Sequence, residues 1–425
     1  MPRPLARLDD VMTARALLLV VGAWLAPSIA SAIDCSGTST GHVPLTDLGA
    51  GLYQGFAGGL YPGGANHRPA SHDSAGVAIA NALVPLDTLG QPDPVNGRVV
   101  LVSIGMSNCT QEFSAFVPKA MSDPQRNPRL LVIDCAQGGQ TASIVKDPSA
   151  NFWTVVAQRL RARGSAPAQV QAVWIKEANA QPTTGFPAAA NTLRDDLGGV
   201  VRTIHAKLPN VRLGYLTSRI YAGYATTTLN PEPYAYESGF SVKWLVEAQI
   251  AGEDSLNFDA ASGPVEAPWM AWGPYLWADG LSPRADGFTW PCADFEADGT
   301  HPGPIAEGVV SDSLLAFFKA DDTTRPWFVN TTTDAVAAPP ARLALTVAPN
   351  PSHGMVAFAF VPGAAWSLSI VDAAGRRVAD VARGAATPAR VTWDGRDAFG
   401  RRVPPGVYWA KLTSEGRTVS ARLVR

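Results

Sequence analysis

Four stretches of this chain are almost continuously apolar and rich in β-branched residues: Gly97–Ile104, Arg129–Asp134, Val170–Ile175 and Val211–Leu216. Short runs of that texture predict strands buried on both faces. Between and after them, apolar residues recur at helical spacing over Trp153–Arg163, Ala188–Leu208, Phe240–Ala251 and Ile305–Ala320. Strands alternating with helices predict a mainly parallel sheet between helical layers, an α/β/α three-layer domain over 98–321. Ahead of it, residues 33–97 are rich in Gly, Pro and His without a clear period, which predicts an extended arm over a surface. Residues 322–342 have a Thr-, Ala- and Pro-rich linker composition. Beyond the linker the texture changes to short alternating segments: Val356–Phe360, Ser367–Val371, Ala389–Trp393, Gly406–Leu412 and Thr418–Leu423. That spacing predicts a small all-β sandwich over 343–425.

The first 32 residues read as an address. Arg3, Arg7 and Arg15 precede the apolar run Ala16–Ala26, and Ala30-Ser31-Ala32 offers a small-residue cleavage site. This is the pattern of a secretory signal peptide, cleaved near Ala32. The apolar run is near half the ~20 residues a spanning helix needs, so no transmembrane segment is expected in the mature chain. Export to an oxidising compartment favours disulfides among Cys35, Cys109, Cys135 and Cys292. Four cysteines allow three pairings. Because Cys109 and Cys135 each follow a predicted strand, a Cys109–Cys135 bridge is preferred, leaving Cys35–Cys292 to tie the arm to a late loop.

Composition sharpens this division. The 425 residues are 46% hydrophobic and 16% charged, with a net charge of -2. Such a chain has too much apolar surface to stay disordered and lacks the basic footprint of a nucleic-acid binder. The charge is unevenly placed: residues 342–425 carry 12 basic against 5 acidic side chains, whereas 33–341 carry 19 against 29. Two units with different jobs are implied.

Ligands of an open parallel sheet bind beyond the carboxyl ends of its strands. There the chain places Ser107, then Gly138-Gly139, then Glu177-Ala178-Asn179; far downstream, Asp298-Gly299-Thr300-His301 precedes the final helix. These types suit nucleophilic acyl transfer. Ser107 can act as nucleophile, His301 as its base, and Asp298 as the group that orients the imidazole. The Ser107 and Gly138 or Gly139 N–H groups and the Asn179 amide can form an oxyanion hole. No metal site and no cofactor are expected. His67, His72 and His205 show no metal-ligating spacing.

The ordered blocks Gly105-Met106-Ser107-Asn108, Gly138-Gly139, Glu177-Ala178-Asn179 and Asp298-Gly299-Thr300-His301-Pro302-Gly303 resemble those of the SGNH (GDSL-type) hydrolase superfamily. The resemblance covers roughly 97–320. Met106 stands where the family often has Asp, and Glu-Ala-Asn replaces the commoner Gly-x-Asn-Asp. The latter variant is similar to the sialate O-acetylesterase and acetylxylan-esterase-like branches. The resemblance implies a secreted serine esterase that removes short acyl groups, often acetyl from carbohydrate. A lipid or peptidoglycan acyl hydrolase on the same residues is the alternative, and a non-catalytic carbohydrate-binding or surface protein is a third reading.

Trp269, Trp272, Tyr275, Trp277 and Trp290 crowd one stretch interspersed with charges. Aromatic faces beside polar groups suit sugar rings, so these five, with Glu177, are expected to contact substrate. In the C-terminal unit, Pro349-Asn350-Pro351 and Gly406-Val407-Tyr408 resemble flagellar-hook-assembly-type immunoglobulin-like domains and C-terminal sorting domains of secreted bacterial enzymes. That resemblance implies cell-surface or secretion machinery as a partner and no chemistry of its own.

Overall fold

A computed structural model describes residues 33–330, 345–352, 354–360, 365–384, 389–414 and 417–425. The expected signal peptide and most of the expected linker lie outside these residues. The chain divides into two compact units, one ending at Val329 and the other starting at Asn330.

The first unit is built on five strands: β1 (Val99–Gly105), β2 (Leu130–Ile133), β3 (Val170–Lys176), β4 (Leu213–Leu216) and β5 (Trp269–Trp272). All pair in parallel, in the order β2-β1-β3-β4-β5. Every residue of β1 and β3 is buried, as the continuous apolar runs predict for strands covered on both faces. The connecting helices are α2 (Ser107–Ser122), α3 (Asn151–Ala162), α4 (Ala188–Lys207) and α5 (Tyr234–Ile250); α1 (Ala70–Ala82) precedes them and α6 (Pro304–Ala320) follows. Right-handed crossovers put α2 on one face of the sheet and α3, α4 and α5 on the other. The packing agrees, with α2 against α6 and α4 against α5. Because the chain leaves β1 toward β2 and later returns past it to β3, the winding reverses between these two central strands. A crevice at their carboxyl ends follows from that reversal.

Three expectations are corrected. The region 33–97 is not simply an extended arm: it holds the 13-residue helix α1, whose buried face is His72, Gly76 and Ala80. A Cβ on Gly76 would lie 2.3 Å from the Trp269 ring, so the helix docks directly on β5. The body also runs further than 321. Arg325–Phe328 forms a short helix with Trp327 and Phe328 buried, and Asn127 donates to the carbonyls of Phe328 and Trp327. Finally, Cys109 and Cys135 are buried free thiols. The Cys109 Sγ turns onto the Ile104 carbonyl at 3.6 Å, a direction that adjacency to a strand end does not reveal. Burial pushes both thiols up, that of Cys135 to about 12.

The Cys35–Cys292 disulfide is present, joining positions 257 residues apart. It works with a polar clamp. Asp279 accepts hydrogen bonds from the hydroxyls of Ser39 and Thr40 and the N–H groups of Thr40 and Gly41, and the Tyr221 hydroxyl donates to the Gly37 carbonyl at 2.6 Å. The start of the arm is thus bound to the loops after β4 and β5.

Among the described residues the second unit has seven strands: β6 (Thr346–Ala348), β7 (Val356–Phe360), β8 (Trp366–Asp372), β9 (Arg377–Gly384), β10 (Ala389–Trp393), β11 (Val407–Ser414) and β12 (Arg417–Val424). They form antiparallel sheets of order β9-β8-β11-β12 and β10-β7-β6. Both sheets contribute to one apolar cluster, including Phe358 and Trp393 from one and Ile370 and Leu412 from the other. Strands β6 and β9 are additions to the predicted set. Among the described residues, no helix of the chain is long and apolar enough to cross a membrane.

Replacing Cys35 and Cys292 together by Ser should lower the unfolding free energy by roughly 2–5 kcal/mol, since the bridge closes a long loop of the unfolded chain. Denaturant melts of the two proteins measure this. An unchanged midpoint would mean that the Asp279 clamp alone secures the arm.

Candidate active site

Strand β1 passes into α2 with a single residue between them. Met106 stands in extended conformation as the N-cap, and Ser107 is the first residue of the helix. A Cβ on Gly105 would sit 2.4 Å from both the Cys109 Cβ and the Lys176 carbonyl oxygen, so only glycine lets β1, α2 and β3 converge here. The hinge leaves Ser107 partly exposed at the carboxyl edge of the sheet.

His301 arrives from the loop before α6. Its Nε2 lies 2.8 Å from Ser107 Oγ, and its Nδ1 lies 2.6 Å from Asp298 Oδ2. Asp298 Oδ1 also accepts the backbone N–H of Thr300 (2.9 Å) and of His301 (3.0 Å). Burial works to raise the Asp298 pKa. The hydrogen bonds from the His301 backbone and ring and from Thr300 outweigh it, and the carboxyl ends below its usual range. The turn needs Gly299, whose φ is 63° and whose absent Cβ would fall 1.9 Å from the Tyr224 carbonyl oxygen. The Thr300 carbonyl accepts a hydrogen bond from Asn108 Nδ2 at 2.9 Å and a longer one from Arg219 at 3.4 Å. The residue next to Ser107 therefore holds the loop that carries His301.

Gly138 borders the same point: a Cβ there would be 3.8 Å from that of Ser107. Gly139 follows with φ 74° and open space around it. Asn179 lies three residues beyond β3. Its Oδ1 accepts the Ser143 N–H at 3.1 Å and its Nδ2 donates to Asp196 Oδ2 at 2.7 Å. The amide's second N–H has no partner among the described residues. Asp196, buried on α4 and ion-paired with Lys146, fixes the amide; nothing in its sequence context marks this role, as Asp196 lies in an ordinary helical repeat.

Two further polar groups lie beneath the serine, where the helix turn of Glu112 is buried rather than solvated. Glu112 of α2 and Lys176 of β3 form a fully buried ion pair, with Nζ within 2.7 Å of Oε2. Burial pushes Glu112 up and Lys176 down, and their mutual attraction opposes both shifts. Arg219, 2% exposed, adds a second buried cation near Glu112 and Asp298.

Glu177 is not at the surface of the crevice. It is 2% exposed, neither carboxylate oxygen has a hydrogen-bond partner among the described residues, and burial drives its pKa well above the ordinary range. The aromatic expectation is corrected as well. Trp269, Trp277 and Trp290 are fully buried, Trp272 is 2% exposed and Tyr275 7%. Their indole N–H groups are spent internally, on the His72, Leu60 and Leu276 carbonyls and on Glu232 Oε1, while the Tyr275 hydroxyl accepts the Leu45 N–H. Trp269–Trp272 is strand β5, and the rest packs the loop beneath the arm, so no ring face is open to a sugar. Among the described residues no cluster of three or more His, Cys, Asp or Glu could hold a metal ion.

No family model and no curated protein matches this chain. Solved structures do show similarity. A gut microbial diltiazem-metabolizing enzyme aligns with 71% of this chain and 71% of its own, at 12% identity and a TM-score of 0.30. The periplasmic domain of a lipopolysaccharide acetyltransferase from Salmonella ser. Paratyphi A covers 58% of this chain and 94% of its own, at 14% identity and a TM-score of 0.28. PorZ, a surface component of the type-IX secretion system of Porphyromonas gingivalis, matches 19% of this chain at 27% identity and a TM-score of 0.16. This chain spans about a tenth of PorZ and of PorU from the same organism. At these scores the functional reading rests on the site itself.

Lys176→Met should destabilise the fold by about 3–5 kcal/mol by leaving Glu112 charged, buried and unpaired. The double variant Lys176→Met with Glu112→Leu should recover most of that loss. Thermal melts of the wild type and the variants measure it; additive losses would contradict the coupling.

Proposed function

We propose that this chain is a serine esterase of SGNH type that hydrolyses short acyl esters, acetyl first among them. The observation that carries this reading is the continuous hydrogen-bond chain from Ser107 Oγ through His301 to Asp298 at the point where the sheet's winding reverses. In the proposed mechanism Ser107 Oγ attacks the ester carbonyl carbon and its proton passes to His301 Nε2. The carbonyl oxygen, now anionic, is held by the Ser107 and Gly138 or Gly139 N–H groups and by the second N–H of Asn179. The first N–H groups of α2 have no partner within the helix, which leaves that of Ser107 available. Collapse expels the alcohol, which takes the proton from His301. Water then attacks the acyl-serine with His301 again as base and releases the carboxylic acid. Asp298 keeps the imidazole in the tautomer with the proton on Nδ1 and stabilises its charged form.

The carbohydrate expectation no longer has the aromatic loop to support it, so the alcohol portion must be read from other groups. The C-terminal unit is proposed as a delivery or attachment module for the cell surface, on its Pro-Asn-Pro opening and Gly-Val-Tyr strand. The Cys35–Cys292 bridge fits an extracellular setting.

With a chromogenic acetyl ester, Ser107→Ala should lose at least ~10³-fold in kcat and Asp298→Asn about 10³–10⁴-fold. Asp196→Ala should lose up to about 10²-fold in kcat with little change in KM, because a loosened Asn179 weakens the transition state more than the ground state. Equal rates for wild type and Ser107→Ala would overturn the proposal.

A further inference from the structure

A narrow crevice opens on the other side of Asn179. Its walls are Pro182 of the loop after β3, Ala190 and Leu193 of α4, Asn230, and Glu237 and Ser241 of α5. The space is about 20 Å³, room for one hydroxyl-sized group, and it opens to the surface. Two of its lining residues are nearly inaccessible yet incompletely paired. Glu237 is 2% exposed, and its Oε1 accepts the Tyr53 hydroxyl at 2.9 Å while Oε2 has no partner. Asn230 is 3% exposed, and its Nδ2 donates to the Asn179 carbonyl at 3.0 Å while Oδ1 has no partner. Both unpaired atoms are acceptors. An acceptor buried without a donor is costly, so each of these atoms is a standing demand for a ligand that brings O–H or N–H.

The site's position ties it to the reaction. Asn230 grips the backbone of Asn179, whose side chain is the proposed oxyanion donor, and Asn179 itself lines the crevice. The loop that closes the crevice carries Gln181 at φ 51°, a conformation uncommon for a non-glycine residue and concentrated at functional sites. Its N–H is anchored on the Leu229 carbonyl at 2.7 Å, beside Asn230. Burial raises the Glu237 pKa, and the Tyr53 hydrogen bond opposes that rise.

We propose that this crevice is a specificity subsite that receives one hydroxyl group of the ester substrate, its single proton donated to Glu237 Oε2 or to Asn230 Oδ1. The proposal rests on the esterase reading and narrows it to hydroxylated esters. It replaces the stacking of a sugar on aromatic rings with recognition of a hydroxyl by buried acceptors. The hydroxyl can belong to the alcohol portion, as in a partly acetylated polyol or sugar, or to the acyl portion, as in a hydroxy acid.

The test compares kcat/KM on four esters: a methyl glycoside monoacetate, an alkyl lactate, cyclohexyl acetate and acetylcholine. Wild type should prefer the glycoside acetate or the lactate to cyclohexyl acetate by at least about 10-fold, and which of the two wins assigns the hydroxyl to the alcohol or the acyl side. Glu237→Leu with Asn230→Leu should collapse that preference to near unity. Asn230→Asp, which keeps an acceptor, should retain part of it. No preference in wild type, a preference for acetylcholine, or a preference that survives the double substitution would overturn the subsite, the last meaning that a resident water satisfies the two acceptors. The esterase reading fails separately, by the absence of Ser107-dependent turnover of any of the four. In that case titration of the methyl glycoside and of lactate into wild type and the double variant, followed by NMR, decides whether the crevice binds a hydroxyl.

Discussion

An imidazole must be held within 2.8 Å of a serine that lies 194 residues earlier in the chain. That constraint governs the architecture of the first unit. A parallel sheet with both faces covered offers polar chemistry a place only at its carboxyl edge, and the reversal of winding between β1 and β3 opens that edge. The serine comes to it on the first residue of α2. The histidine comes on a turn whose geometry is fixed three times over, by Asp298 accepting its ring and two backbone N–H groups, by Gly299 fitting against Tyr224, and by Asn108 and Arg219 holding the Thr300 carbonyl. Since Asn108 is next to Ser107, displacement of helix α2 also displaces the loop that carries His301.

The support beneath this edge is polar where a packed core would ordinarily be apolar. The Glu112–Lys176 pair links α2 to β3, so the helix bearing Ser107 and the strand that leads to Asn179 are joined by a buried ionic contact. Such pairs add little net stability over well-packed apolar residues, but breaking one is costly, so they hold a geometry firmly. Asp196 does the same for Asn179 from the α4 side. The arm completes the unit: the disulfide and the Asp279 clamp together bind residues 33–41 to the loops that precede the histidine turn.

Much of this was legible in the sequence. Continuous apolar runs located β1 to β4, and the residues after them, with the Asp-x-x-His turn, named the three side chains that form the hydrogen-bond chain. What was misread has physical causes. Strand β5 is Trp-Met-Ala-Trp, four residues whose aromatics suggested a ligand platform, while only tertiary packing against α1 makes them core. Helix α1 is rich in Ala and has no apolar stripe, because it packs through Gly76 closely on Trp269 rather than through large side chains. Cysteine pairing depends on side-chain direction, and position relative to a strand end does not carry it. Asp196, Glu237 and Asn230 could not be singled out, since each is an ordinary polar residue until the fold buries it.

We propose that Ser107 forms a covalent acyl intermediate with His301 as its base. Rapid acid quench of the full chain with a p-nitrophenyl ester during the first turnovers, followed by peptide mass mapping, tests it directly. An acyl adduct is expected on the peptide containing Ser107, absent from Ser107→Ala and strongly slowed in His301→Ala. Turnover without any adduct, or an adduct on another residue at the same rate in both variants, would contradict it.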